Sequence, residues 1–160
     1  MKRYLFLDVD GVCNHEDWYY KNRVLDKNYK CGDFDPKVIE LLNQLQDLDV
    51  KVVISSSWGD MADKPLIELG LKLPIIGHTE HFYSDWLCRG NEIQKWIYDN
   101  HIYEHIDDRY EYVIFDDDKD MLMEQADNFV WVDRRHGLKQ AHIDKARSIL
   151  GGGATWKTDE

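Results

Sequence analysis

Two aspartates one residue apart, Asp8 and Asp10 in "YLFLDVDGV", follow directly on a run of apolar residues, and Gly11 closes the pair. Much later, "YVIFDDDKDM" again runs from apolar residues straight into Asp116 and Asp117. Like charges repel, so carboxylates gathered at the mouth of a buried segment ask for a cation between them. Hard oxygen donors select Mg²⁺, which takes about six oxygens and usually keeps some waters and substrate phosphate oxygens. With the charge neutralised, Asp8 has the chemistry of a nucleophile toward phosphorus, giving an aspartyl-phosphate. Asp10 then suits a general acid that protonates the leaving oxygen and afterwards deprotonates the hydrolytic water. Ser55, the first residue after "VKVVI", can donate a hydrogen bond to a phosphoryl oxygen, and a cationic side chain is wanted for the developing charge.

Such residues need a scaffold that brings them together. "RYLFL" (3–7), "VKVVI" (50–54), "PII" (74–76), "EYVIF" (111–115) and "NFVWV" (128–132) are short apolar runs of the kind that form strands buried on both faces. Between them lie helical patterns. Asp35 and Pro36 provide an N-cap and first turn for "DPKVIELLNQLQDL", whose Val38, Leu41, Leu42 and Leu45 share one face. "DKPLIELGL", "NEIQKWIYDN" (91–100) and "LKQAHIDKARSIL" (138–150) follow the same logic. This alternation predicts an α/β fold, an open and mainly parallel sheet with helices on both faces. Right-handed crossovers put all strand carboxyl ends on one edge, where ligands bind. Asp8, Ser55 and Asp116 each follow a different strand, so they belong to that edge.

Taken in order, "LFLDVDGV", "VVISSSW", "CRGNEIQKWI" and "YVIFDDDKDM" resemble the four motifs of haloacid dehalogenase (HAD) superfamily phosphatases. They are closer still to the HAD domains of "Swiss army knife" RNA-repair proteins, over most of the chain. The resemblance implies a HAD-like Rossmannoid fold and a Mg²⁺-dependent phosphatase. Asp8 is then the implied nucleophile, and Asp10 the general acid/base and a metal ligand through its backbone carbonyl. Ser55 matches the phosphate-binding residue of the second motif, and Arg89 the basic residue of the third, which is Lys in many relatives. Asp117 matches the metal ligand of the fourth motif, with Asp116 beside it. "DDDKD" admits several registers, and Asp120 is the supporting carboxylate in one of them. The presence of Asp10 implies phosphate chemistry in place of carbon–halogen cleavage.

Composition bounds the partners. Twenty basic residues against 31 acidic ones give a net charge of −11, which opposes non-specific binding to nucleic acid but leaves room for a local basic groove. The 160 residues suit one domain, over residues 1–150, followed by a flexible tail at 151–160. No apolar run approaches the roughly 18 residues of a membrane span, and the first residues do not read as a signal peptide, so a cytoplasmic protein with no membrane partner is expected. Cys13, Cys31 and Cys88 have no metal-binding spacing and read as free thiols. "YEHIDD" (103–108) reads as a solvated turn.

The substrate is less tightly bounded. The insertion at about residues 13–34 reads as a short flap, and the loop "HTEHFYSDW" is no larger, so no large cap domain is expected. An open site suits a phosphate on something large, such as a nucleic-acid end, and a nucleotide also fits. Trp18, Tyr19, Tyr20, Phe82, Tyr83 and Trp86 either stack bases or pack the flap and loop onto the core. A small-molecule phosphomonoesterase and a non-catalytic binding domain are the alternatives; the oligomeric state is open. Phosphorelay receiver domains are disfavoured because they carry adjacent acids after the first strand, which "DVDG" does not supply. "DRRH" (133–136) reads as a solvated turn in preference to a phosphate contact, Asp118 and Asp120 as cap and solvated face in preference to ligands, and Trp58 and Trp96 as core residues. His15, His78 and His81 have no spacing that argues for a metal site.

Overall fold

The apolar runs become strands because only a sheet satisfies their backbone polar groups while burying side chains on both faces. A computed structural model describes residues 1–25, 34–101 and 109–151. Its strands are β1 (Lys2–Leu7), β2 (Val50–Ile54), β3 (Ile75–His78), β4 (Tyr110–Asp116) and β5 (Phe129–Trp131). They form one sheet in the order β3-β2-β1-β4-β5, and every neighbouring pair is parallel. The helices are α1 (Glu16–Leu25), α2 (Pro36–Asn43), α3 (Asp63–Glu68), α4 (Arg89–His101) and α5 (Gln140–Leu150).

Strand alternation divides the core in two. Leu5, Leu7, Val52, Ile54, Val113 and Phe115 join Val38, Ile39 and Leu42 of α2, Leu66 of α3, and Ile143, Ala146 and Leu150 of α5. The intervening residues Tyr4, Phe6, Val53 and Ile114 join Ile93 and Ile97 of α4, with Trp96 packed alongside. Helices therefore cover both faces, as the α/β pattern requires. Among the described residues there is no cap domain, and no helix is long and apolar enough to cross a membrane.

Three local outcomes differ from the sequence pattern. The short flap carries a ten-residue helix, α1, which the sequence pattern did not single out. Its aromatic and charged residues hide the apolar period, although Glu16 and Asp17 in the first turn are a helix-start signal. Glu16 and Asp17 donate their N–H groups to the carbonyls of Arg134 and Arg135, at 3.0 and 2.9 Å, which ties the flap base to the turn after β5. Helix α4 begins at Arg89, two residues before the apolar period suggests, because the Asp120 side chain accepts the Arg89 N–H at 3.0 Å. That cap comes from a segment far along the chain. Finally, α5 starts at Gln140, not at Leu138, whose backbone N–H instead reaches the Val12 carbonyl. Cys31 and the rest of the flap at 26–33, the turn at 103–108, and the tail from 152 onward lie outside the described residues.

Candidate active site

Register places the chemistry. Leu7 pairs with Ile54 on one side and Phe115 on the other, so Asp8, Ser55 and Asp116 emerge side by side at the carboxyl ends of β1, β2 and β4. The Asp8 N–H donates to the Phe115 carbonyl at 3.0 Å and the Ser55 N–H to the Leu7 carbonyl at 2.9 Å, which fixes all three strand ends. The strand order reverses between β1 and β4. Crevices at such a switch point are where parallel α/β sheets bind ligands.

Carboxylate oxygens of Asp8, Asp116 and Asp117 all lie within 4.8 Å of one another. Asp8 is nearly buried and Asp116 wholly so. Burial, then the Asp116 charge, pushes the Asp8 carboxyl well above the usual range, with nearby Arg89 only partly compensating. Burial likewise raises Asp116, against the pull of Arg89. Three acids held like this are an unfavourable arrangement without further positive charge. Asp116 Oδ2 is a buried oxygen with no hydrogen-bond donor. Gly11, at φ +86°, leaves the space beside this cluster, since a Cβ there would stand 2.4 Å from Asp117 Oδ2. An all-oxygen donor set with an unsatisfied buried oxygen fits a hard divalent cation such as Mg²⁺.

Arg89 opens α4 and turns inward. Its guanidinium donates to the Ser55 carbonyl. It also lies 3.9 Å from Asp8 Oδ1, 3.6 Å from Asp116 Oδ2 and 3.7 Å from Glu92 Oε1. Burial opposes its charge, but Asp8, Asp116, Glu92 and Asp120 together outweigh that and raise its pKa above the usual value. Ser55 Oγ is fully buried and has no hydrogen-bond partner. The neighbouring Ser56 hydroxyl takes the turn role instead, accepting the Trp58 N–H at 3.2 Å. A buried, unpaired hydroxyl next to an arginine is what an anion's oxygens would satisfy.

Asp10 is placed differently from the other acids. Its carboxylate lies at the surface and accepts from Asn14 Nδ2 at 2.9 Å and from the Trp58 indole N–H at 3.0 Å. Asp10 lies outside the group formed by the Asp8, Asp116 and Asp117 carboxylates, and the family resemblance gives it a ligand role through its backbone carbonyl. Trp58 also packs edge-on against Phe34, with ring centroids 5.2 Å apart. It is therefore both a core residue and a site residue. Trp96 is core alone, ringed by Tyr4 and Phe6.

Several further residues complete the edge. Glu92, buried, accepts from the Phe82 N–H at 2.9 Å and from His81 Nδ1 at 3.1 Å, anchoring the 79–88 loop to α4. Tyr83 and Trp86 in that loop project into solvent, 95% and 93% exposed. Arg134, from the "DRRH" turn, places Nε 3.4 Å from Asp117 Oδ2 and Nη2 3.3 Å from Asp118 Oδ1. The turn is solvated, as its sequence suggests, and Arg134 makes these contacts from it. Asp120 caps α4, while Asp118 is an exposed ion-pair partner. His15, His78 and His81 each pair with a carboxylate, Asp35, Asp63 and Glu92 respectively. Cys13 and Cys88 are free thiols. Trp58 carried no local signal, because its partner lies 48 residues away. Arg134 did carry one: a basic pair directly after a strand that ends on this edge.

A parallel sheet with helices on both faces, and acids at the ends of β1 and β4, defines an α/β HAD-like domain. The family described as the HAD domain in Swiss Army Knife RNA repair proteins matches residues 4–143, and the chain belongs to it. No curated protein matches the chain.

Proposed function

We propose that this chain is a Mg²⁺-dependent phosphatase working through an aspartyl-phosphate on Asp8, with nucleic-acid ends or nucleotides as its substrates. The observation that carries this reading is the convergence of Asp8, Asp116 and Asp117 within 4.8 Å, beside Arg89 and the unpaired Ser55 hydroxyl. One half of that set is anionic and nucleophilic; the other donates hydrogen bonds.

Asp116, Asp117, an Asp8 oxygen and the Asp10 carbonyl would hold the cation, which offsets the clustered charge and so keeps Asp8 ionised at neutral pH. The substrate phosphate sits against Ser55 Oγ and the Arg89 guanidinium, which take its non-bridging oxygens. The free Asp8 oxygen attacks phosphorus as the ester oxygen departs, and Asp10 supplies that oxygen with a proton. Asp10 then accepts a proton from the water that cleaves the acyl phosphate, which releases inorganic phosphate and restores both acids. The buried arginine and serine stabilise the charge that develops on the phosphoryl oxygens.

The substrate class rests on two supports. The family is named for RNA repair proteins, and Tyr83 and Trp86 offer exposed ring faces just before Arg89. The test is release of phosphate from an aryl phosphate with Mg²⁺, compared between the wild type and Asp8→Asn. Activity that survives this change removes Asp8 from the mechanism. A panel of 3′- and 5′-phosphorylated oligonucleotides, mononucleotides and sugar phosphates then assigns the substrate.

A further inference from the structure

We infer that Arg134 forms a second phosphate subsite, which selects phosphomonoesters carrying another phosphate group close to the one removed. This rests on the phosphatase reading of the Asp8 site and specifies its substrate.

Arg134 and Arg89 are both arginines facing the acidic cluster, but their situations differ. Arg89 is 16% exposed in its side chain and bonded inward to the Ser55 carbonyl. Arg134 is 57% exposed and touches the cluster from outside, Nε to Asp117 and Nη2 to Asp118. The Asp118 contact is exposed on both sides, so the guanidinium can exchange that partner at little cost, whereas Asp117 is only 12% exposed. Asp117 is also a candidate cation ligand, and a cation there would compete with Arg134 for its charge.

The backbone that carries Arg134 is fixed. Its carbonyl accepts the Glu16 N–H, and the next carbonyl accepts the Asp17 N–H. His136 pairs with Asp17 at 2.7 Å. Gly137, at φ +68°, packs so closely on His15 that a Cβ would stand 2.4 Å from its ring. Arg135 is folded back onto Asp133 at 3.1 Å, so Arg134 is the member of the pair that faces the site. Lys119 lies at the same rim, its ammonium 4.4 Å from the centre of the Trp131 ring, and the Trp131 indole donates to the Asp117 carbonyl at 2.8 Å. Arg134 is thus an exposed cation against Asp117 in a chain whose net charge is −11. A planar guanidinium suits phosphate oxygens, and its partner Asp117 belongs to the cluster that holds Asp8. A second phosphate on the same substrate would meet it there, whether a terminal phosphodiester of a strand or the far phosphate of a small bisphosphate.

The experiment pairs substrates that differ by one phosphate: a dinucleotide 3′-phosphate against a nucleoside 3′-phosphate, and fructose 1,6-bisphosphate against fructose 6-phosphate. The expected result is a preference of about tenfold or more in kcat/KM for the two-phosphate member of at least one pair, carried mainly by KM. Which pair shows it tells a diester from a small bisphosphate. Arg134→Gln removes the preference and Arg134→Lys restores part of it. No preference in either pair, or one that survives Arg134→Gln, overturns the subsite. Calorimetric binding of the same compounds to Asp8→Asn repeats the comparison without turnover. If the wild type hydrolyses nothing, the phosphatase reading fails, and an Arg134-dependent binding preference still decides the subsite by itself.

Discussion

The Trp58 indole N–H donates to Asp10 Oδ2 at 3.0 Å, while Asn14 holds the other oxygen at 2.9 Å. Both donors orient the acid that the proposed mechanism places at the leaving group. Trp58→Phe keeps the ring against Phe34 and removes this bond alone. Loss of this orientation should lower kcat by about tenfold or more. Urea unfolding of the same variant should show a loss of about 1 kcal/mol or less. A large stability loss with unchanged kcat would make Trp58 a packing residue only.

Burial and mutual repulsion raise the carboxyls of Asp8 and Asp116 in the folded protein. The native state therefore binds more protons than the unfolded chain, and stability must fall as pH rises through the interval between the unfolded and folded values. In EDTA, the melting temperature should be highest near the ordinary carboxylate pKa of about 4, as far as these two groups decide it, and decline toward neutrality. Asp116→Asn should flatten that decline. Melting curves across a pH series check both.

Gly11 reserves the space beside Asp117, since a Cβ there would come within 2.4 Å of its carboxylate, and its φ of +86° disfavours any other residue. Mg²⁺ at about a hundred times its dissociation constant should stabilise the wild type by about 2.7 kcal/mol, a melting shift of about 5–10 °C. Gly11→Ala should lose most of that shift, as should Asp117→Asn. Differential scanning calorimetry with and without Mg²⁺ reads it directly.

Glu92 connects the 79–88 loop to α4 by accepting from Phe82 and His81, and it faces Arg89 at 3.7 Å. Glu92→Ala leaves a backbone N–H and a buried guanidinium without this partner, and should cost about 2–3 kcal/mol in urea unfolding. The loop should also become susceptible to protease between His81 and Cys88 under conditions where the wild type is resistant.

Much of this molecule is written locally. The strands at 3–7, 50–54 and 111–115 were legible because continuous apolar runs can only be buried on both faces, and the residue after each run must emerge at the sheet edge. That reasoning reaches Asp8, Ser55 and Asp116, and Asp35 with Pro36 likewise announces α2 before any contact is known. Helix α1 was not legible, because its aromatic and charged residues lack a one-sided apolar period and its first N–H groups find their acceptors in the turn after β5.

By itself, then, the sequence determined the order of the strands and of the helices other than α1, and which polar residues reach the edge, since both follow from short-range patterns of burial. The family resemblance already implied Asp117 beside Asp8 and Asp116, but only the tertiary structure decided that Trp58 and Asn14 hold Asp10, that Asp120 meets the first N–H of α4, and that Arg134 leans on Asp117. Most of those partners sit on separate strand ends and loops, where local pattern fixes position but not direction. Side-chain direction there comes from strand register and from the packing of distant segments, which no short stretch of sequence contains.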